Sequence, residues 1–161
     1  MDILIIFSAQ YLILFVVLAA AVYFFKQDRK RQKEIVIFAI ITLPIIYIAA
    51  KIIGVFYYDP RPFVSENIVP LIAHAPDNGF PSDHALLSSA IAFILIFYNR
   101  IVGWSMLLLA LLIGFSRVLA GVHHSIDIIG AVLISLAVAY SVFKFLMPAI
   151  KKSSAYQKFL G

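Results

Sequence analysis

Apolar residues in this chain come in long runs separated by short polar breaks. Five stretches are nearly free of charge: Ile3 to Phe25, Ile35 to Tyr57, His84 to Tyr98, Val102 to Leu119 and Ile126 to Leu146. A helix crosses a bilayer with about 20 apolar residues. The pattern therefore predicts an all-α integral membrane bundle of about five transmembrane helices. The third run is the shortest, and its first turn is expected to project into the headgroup region. Pro44 lies inside the second run and predicts a kink, tolerable where neighbouring helices surround it. Met1 and Asp2 lead into the first run without a basic segment, so it reads as a retained helix rather than a cleaved leader. No internal repeat or low-complexity linker divides the chain, and residues 1–161 read as one domain.

Composition agrees with a membrane setting: 63% of residues are hydrophobic, and the mean hydropathy is +1.02. The absence of Cys excludes disulfides and thiolate metal sites. A net charge of +5 could point to nucleic acid, but a nucleic-acid surface needs its basic residues on one continuous face. Here Lys26, Arg29, Lys30, Arg31 and Lys33 share one connection, Arg100 sits in a short turn, and Lys144, Lys151, Lys152 and Lys158 lie near the C-terminus. With five spans, all ten fall on one side. The positive-inside rule makes that side cytoplasmic. The expected topology has the N-terminus outside, the C-terminus inside, and membrane lipids rather than nucleic acid as the surroundings.

Three Lys+Arg residues remain, Lys51, Arg61 and Arg117, and all lie in or near polar fragments at the outer rim. The connection from Tyr58 to Phe80 holds Asp59, Arg61, Pro62, His74, Asp77, Asn78 and Gly79. It leads into Pro81-Ser82-Asp83-His84 at the mouth of the third run. Ser116-Arg117 ends the fourth run, and a short link carries His123 and His124 before Asp127. Each fragment alone has an ordinary explanation. Arg61-Pro62 could end a helix, Ser82 or Asp83 could cap one, and His123 with Asp127 could be a structural pair. Polar groups at the rims of membrane helices are costly, and their convergence on one face reads as function.

The chemistry that fits is phosphoryl transfer without a metal or other cofactor. Arg61 and Arg117 offer guanidinium forks for phosphate oxygens, Ser82 adds a hydroxyl, and the start of the third helix adds free N–H groups. His123 and Asp127 share a helical face at i, i+4, so the carboxylate can orient the imidazole for attack. His84 can protonate a leaving oxygen. His74 reads as a solvated loop residue or as a contact for phosphate. His124, next to the nucleophile candidate, reads as an interfacial or loop residue. Tyr57, Tyr58, Phe63 and Phe80 read as an aromatic belt.

These fragments resemble the signature motifs of the type 2 phosphatidic acid phosphatase superfamily, whose pattern is K-x6-RP, PSGH and SR-x5-H-x3-D. The resemblance covers residues 51 to 127. Within that family, Asp59-Pro60-Arg61-Pro62-Phe63, Leu71-Ile72-Ala73-His74-Ala75, Phe80-Pro81-Ser82-Asp83-His84 and Gly114-Phe115-Ser116-Arg117 resemble undecaprenyl-diphosphate phosphatases of the bacitracin-resistance type, in which PSGH reads PSDH. The resemblance implies a phosphohistidine on His123, leaving-group protonation by His84, an isoprenoid diphosphate substrate and a site facing away from the cytoplasm. One departure stands out: the family's Lys would fall at Gly54, whereas Lys51 lies about one helical turn (~4.5 Å) earlier. Its stem could snorkel to the phosphate or merely anchor the helix end. Asp83 is expected to cap its helix or hold a neighbouring Arg. Alternative readings are a phosphatase of phosphatidylglycerophosphate or phosphatidic acid, and a non-catalytic lipid-phosphate binder or transporter. A related haloperoxidase would require a soluble domain that the pattern does not contain.

Overall fold

A computed structural model describes residues 2–66 and 68–160; Met1, which entered the reading of the first run, lies outside them. The first helix, α1 (Asp2–Phe25), turns through Lys26–Asp28 into α2 (Arg29–Phe56). Asp28 caps α2 by accepting from the Arg31 N–H at 2.9 Å, so Arg29, Lys30, Arg31 and Lys33 lie in the first turns of α2 and Lys26 in the turn before it. After the short α3 (Pro62–Ser65) come α4 (Asp83–Ile96), α5 (Arg100–Leu119) and α6 (Ser125–Ser141). A π-helical turn, Val142–Leu146, carries the chain into α7 (Met147–Lys152), and α8 (Ser154–Leu160) ends the described residues. The wider turn lies just before Pro148, whose ring cannot follow a regular α-turn.

Among the described residues, four helices are long and apolar enough to cross a membrane: α1, α2, α5 and the continuous Ser125–Lys152. The fifth, α4, spans only 14 residues and is mostly buried. It packs against α5 and α6 most extensively, and also against α1 and α2. The short third run is thus the hub of the bundle, in contact with α1, α2, α5 and α6. Its Ala85, Ala90 and Ala92 are buried, and small side chains let the surrounding backbones approach where no hydrophobic effect drives helices together. Ser88 and Ser89 return their hydroxyls to the carbonyls of His84 and Ala85 at 2.6 Å, so their burial leaves no orphaned polar atom. The bundle is a multi-pass membrane fold.

Helix α2 runs without interruption through Pro44. Leu43, Pro44, Ile46, Tyr47, Leu86 and Leu87 line an apolar cavity of about 440 Å³ between α2 and α4, with Asp83 at its polar edge. Two of the four expected belt aromatics pack inward instead. Phe63 lies against Val122 and Ala120. Phe80 packs into the α2–α4–α6 core, with its ring 4.7 Å from that of Tyr57. Tyr57 and Tyr58 are exposed. Phe63 and Phe80 therefore serve the loop's packing, because the loop folds back over the bundle end rather than lying along the membrane surface.

Candidate active site

The end of the bundle opposite the basic segments gathers every polar fragment. The spacing from Arg117 to His123 is the length of one helix-ending turn. The Val122 N–H reaches the Arg117 carbonyl at 3.2 Å, and the Gly121 N–H reaches that of Val118 at 2.9 Å. With Gly121 at φ +73°, this is a Schellman close of α5. The chain reverses at once, and His123 is set back over the end of α5, 2% exposed. His124 then caps α6. The Asp127 carboxylate, in the first turn, reaches back to the His124 N–H at 3.0 Å, and the same oxygen, Oδ2, lies 3.0 Å from His123 Nδ1.

Arg61 fixes the tautomer of His123. Its Nη1 lies 3.2 Å from His123 Nε2, and a guanidinium can only donate. Nε2 must therefore carry the lone pair and Nδ1 the proton, which it donates to Asp127. Burial, followed by the charges of Arg117 and Arg61, holds the His123 imidazolium well below its ordinary pKa. The imidazole is neutral at neutral pH, the form a nucleophile needs.

Both arginines are buried, Arg61 at 5% and Arg117 at 3% exposure. Arg61 donates Nε to Asp77 at 2.8 Å and Nη1 to the Val122 carbonyl at 2.9 Å. Arg117 donates Nη1 to the Ala9 carbonyl of α1 at 3.0 Å. Its Nε is buried without a partner among the described residues, and it forms no ion pair with a carboxylate. The Ser82 hydroxyl, on the N-cap of α4, is likewise buried and unpartnered. Buried donors left open in this way cost free energy unless a ligand takes them up. Two guanidiniums, a free hydroxyl and a helix N-terminus together make a pocket for an oxyanion.

The loop holding Arg61 is pinned by Asn78. Its Nδ2 donates to the carbonyls of Gly54 and Tyr57 at 2.9 and 3.1 Å, and its Oδ1 accepts from the N–H groups of Asp59 and Phe80 at 3.0 Å each. Gly79 sits where a side chain cannot: a Cβ there would lie 2.9 Å from Asp127 Oδ2 and 3.1 Å from the Asp59 carbonyl. Gly54, at the position of the family's Lys, faces the Phe80 carbonyl at 3.1 Å from an ideal Cβ. The loop is seated directly on it.

The remaining expected residues are placed as follows. His84 lies in the first turn of α4, half-buried, and among the described residues its ring makes no hydrogen bond. The His74 and His123 rings meet edge to face with centroids 6.1 Å apart. Burial and then Arg61 lower the pKa of His74. Lys51 sits at the open edge of the site: its ammonium lies 3.6 Å from Asp83 Oδ1, both side chains more than half exposed. Asp83 thus holds a lysine rather than an arginine, and the cap of α4 is Ser82. Lys51 and Asp83 line a polar cavity of about 280 Å³ shared with Arg61, Asp77 and Asn78.

His124 departs most from expectation. It is no free loop residue. Its Nδ1 lies 3.1 Å from Asp59 Oδ2 and its Nε2 3.2 Å from Glu66 Oε1. Asp59, His124 and Asp127 bring ligand-type atoms within 4.8 Å of one another. Both His124 nitrogens and Asp127 Oδ2 are already engaged in hydrogen bonds, so the set reads as a proton network. Sequence reasoning missed Asp59, Glu66, Asp77, Asn78 and His124 as parts of the site. Only the Asn78-Gly79 turn signal pointed to a fixed loop.

The PAP2 superfamily model matches residues 35–151. The undecaprenyl-diphosphatase BcrC of Bacillus subtilis is 38% identical over 94 residues, which are 58% of this chain and 49% of that protein. The bacitracin transport permease protein BcrC of Bacillus licheniformis is 34% identical over 138 residues, 85% of this chain and 68% of that protein. The putative undecaprenyl-diphosphatase YbjG of Escherichia coli is 33% identical over 103 residues, 63% and 52% of the two chains. The matches span about half the length of the first and third of these relatives.

Proposed function

The chain belongs to the PAP2 superfamily, and from that premise we propose that it hydrolyses undecaprenyl diphosphate to undecaprenyl phosphate and inorganic phosphate through a phosphohistidine on His123. The observation that carries this reading is the buried His123 itself. Asp127 stands behind it, Arg61 meets its Nε2 lone pair, and Arg117 Nε and the Ser82 hydroxyl are buried donors without partners among the described residues. A site that only bound lipid phosphate would not need an oriented, neutral imidazole.

In the first step Nε2 attacks the outer phosphorus, and the bond from that phosphorus to the bridging oxygen breaks. Arg61 moves its Nη1 from Nε2 to a phosphoryl oxygen, freeing the lone pair. Arg117, Ser82 and the N–H groups at the start of α4 take the others, where charge spreads in the transition state. His84 gives its proton to the departing lipid phosphate; the bound anion favours the protonated form of His84 beforehand. Asp127 stabilises the charge that builds on the His123 ring. In the second step water attacks the phosphohistidine, His84 takes back a proton, and inorganic phosphate leaves. His74, over the His123 ring, contacts the phosphoryl group in transit. The Lys51 ammonium, one turn out, meets the second phosphate at the cavity mouth. The apolar cavity between α2 and α4 meets the polar one at Asp83. This supports a substrate with a long apolar tail and a charged head.

The test is phosphate release by detergent-purified protein in EDTA, with undecaprenyl diphosphate, phosphatidylglycerophosphate and phosphatidic acid offered in parallel. The expected result is a strong preference for the isoprenoid diphosphate, abolished in His123→Ala, with phosphate label trapped on His123 in the wild type. Equal turnover of the glycerophospholipids would overturn the substrate. Release by His123→Ala would overturn the nucleophile.

A further inference from the structure

Behind the nucleophile lies a second layer that the reaction as written does not use. Asp127 is fully buried, and only its Oδ2 is engaged, by the His123 ring and the His124 N–H. Oδ1 is buried with no N–H or hydroxyl partner among the described residues. A buried carboxylate oxygen without a donor is costly. A second carboxyl lies beside it: Asp59, its side chain only 16% exposed, has an oxygen within 4.8 Å of one on Asp127 in the cluster the two form with His124. Two adjacent carboxyls satisfy each other only by holding a proton between them.

We propose that Asp59 and His124 are positioning residues for the nucleophile: Asp59 carries a proton that it donates to Asp127 Oδ1, and His124, clasped as a cation between Asp59 and Glu66, holds Asp59 in place. The inference rests on His123 being the nucleophile. Both His124 nitrogens face carboxylate oxygens, and an imidazole can donate from both only as the cation. The groups facing this layer are Asp127 from α6, Glu66 after α3, and His123 with Arg61 on the far side of Asp127. Asp77 and His74 lie beyond Arg61. Burial first, and then the Asp127 carboxylate, raise the pKa of Asp59 against the opposing pull of His124. Burial opposes protonation of His124, but the negative charge of the Asp59–Asp127 pair and the hydrogen bonds to Glu66 and Asp59 outweigh it and the pKa is raised.

With Asp127 taking a hydrogen bond on each oxygen, the carboxylate plane is fixed and the His123 ring with it. The sign follows. The Asp59 proton is present below its raised pKa, so its hold on Asp127 is lost as pH rises through that value. An amide at position 59 keeps the donor and does not titrate.

The experiment uses full-length protein in detergent, labelled with ¹⁵N-histidine. The chain has four histidines, so His→Gln variants can assign each one. In the wild type, nitrogen shifts should show His123 as the neutral Nδ1–H tautomer and His124 as a cation that titrates above the ordinary imidazole range. Asp59→Ala should lower the His124 titration, mix the His123 tautomers and cut kcat about ten- to a hundredfold, with KM little changed. Asp59→Asn should keep the His123 tautomer, recover most of the lost kcat and remove the alkaline-side decline that the Asp59 proton causes. Equal loss in the Ala and Asn variants, an unchanged His124 titration or a wild-type kcat profile in Asp59→Ala would each overturn the proposal. Where Asp59→Ala does not fold, the nitrogen shifts of Asp59→Asn and His124→Gln decide it. The NMR arm needs no substrate: a wild type that releases no phosphate would sink the phosphatase reading and leave the relay readable.

Discussion

Arg61 does three things at once, and its geometry explains why lysine is no substitute. One planar fork reaches Asp77, the Val122 carbonyl and His123 Nε2; an ammonium on a flexible stem cannot hold all three. Each charge-assisted hydrogen bond contributes about 1.5–3 kcal/mol, so Arg61→Lys should lower kcat/KM at least ~100-fold while the bundle stays folded. Arg61→Gln makes a sharper statement about His123. It removes one of the two cations that depress the imidazole, so the acid limb of the kcat/KM profile should move to higher pH. A limb that does not move would show that burial and Arg117 alone set the nucleophile. The clasp has its own pH window. Asp77 sits below its ordinary pKa because the Arg61 hydrogen bond and charge outweigh burial. The clasp therefore stands at neutral pH and is lost only as pH falls through the lowered carboxylate value.

At the scale of elements, the turn after α5 decides where the chemistry sits. Gly121 is left-handed and a Cβ there would come 3.1 Å from Ile68 Cδ1. Gly121→Ala should cost about 1–2 kcal/mol, read as a lower thermal unfolding midpoint, and should reduce turnover by displacing His123. Gly121→Asn, which tolerates the left-handed region better, should lose less of both. Equal midpoints for all three proteins would refute this account of the turn. The same comparison shows what the sequence could reveal. Arg117, His123 and Asp127 lie within one turn and the start of one helix, so their spacing encodes their geometry directly. Asp59 and His124 meet across a wide sequence separation, and Asn78 ties the end of α2 to the loop through backbone atoms. No local period records either arrangement. The third run looks like a short span because its length is legible and its neighbours are not; packing against four other helices makes it the hub. Lys51 was legible as a cation near the rim, but its partner Asp83 belongs to another helix.

At the scale of the molecule, one end of the bundle holds the site and the other holds ten of the thirteen Lys+Arg residues. Lys33 also ties α8 back onto α2 at that basic end, donating to the Phe159 carbonyl at 2.7 Å. The positive-inside rule predicts a site outside the cytoplasm, and the consequence of that expectation is chemical. A diphosphate head group carries several charges and does not cross hydrocarbon unaided. On the proposed reaction, the side the site faces decides which leaflet's lipid is hydrolysed and where inorganic phosphate is released. The chain has no Cys, so single cysteines can report on topology without a background. Val69 in the loop beside the site is 92% exposed, and Ser153 between α7 and α8 is exposed at the basic end. In intact cells, a membrane-impermeant maleimide should label the Val69→Cys variant and spare Ser153→Cys; in inverted vesicles the pattern should reverse. Labelling of Ser153→Cys from outside would turn the bundle over, and the enzyme would then draw on the cytoplasmic leaflet with the same chemistry.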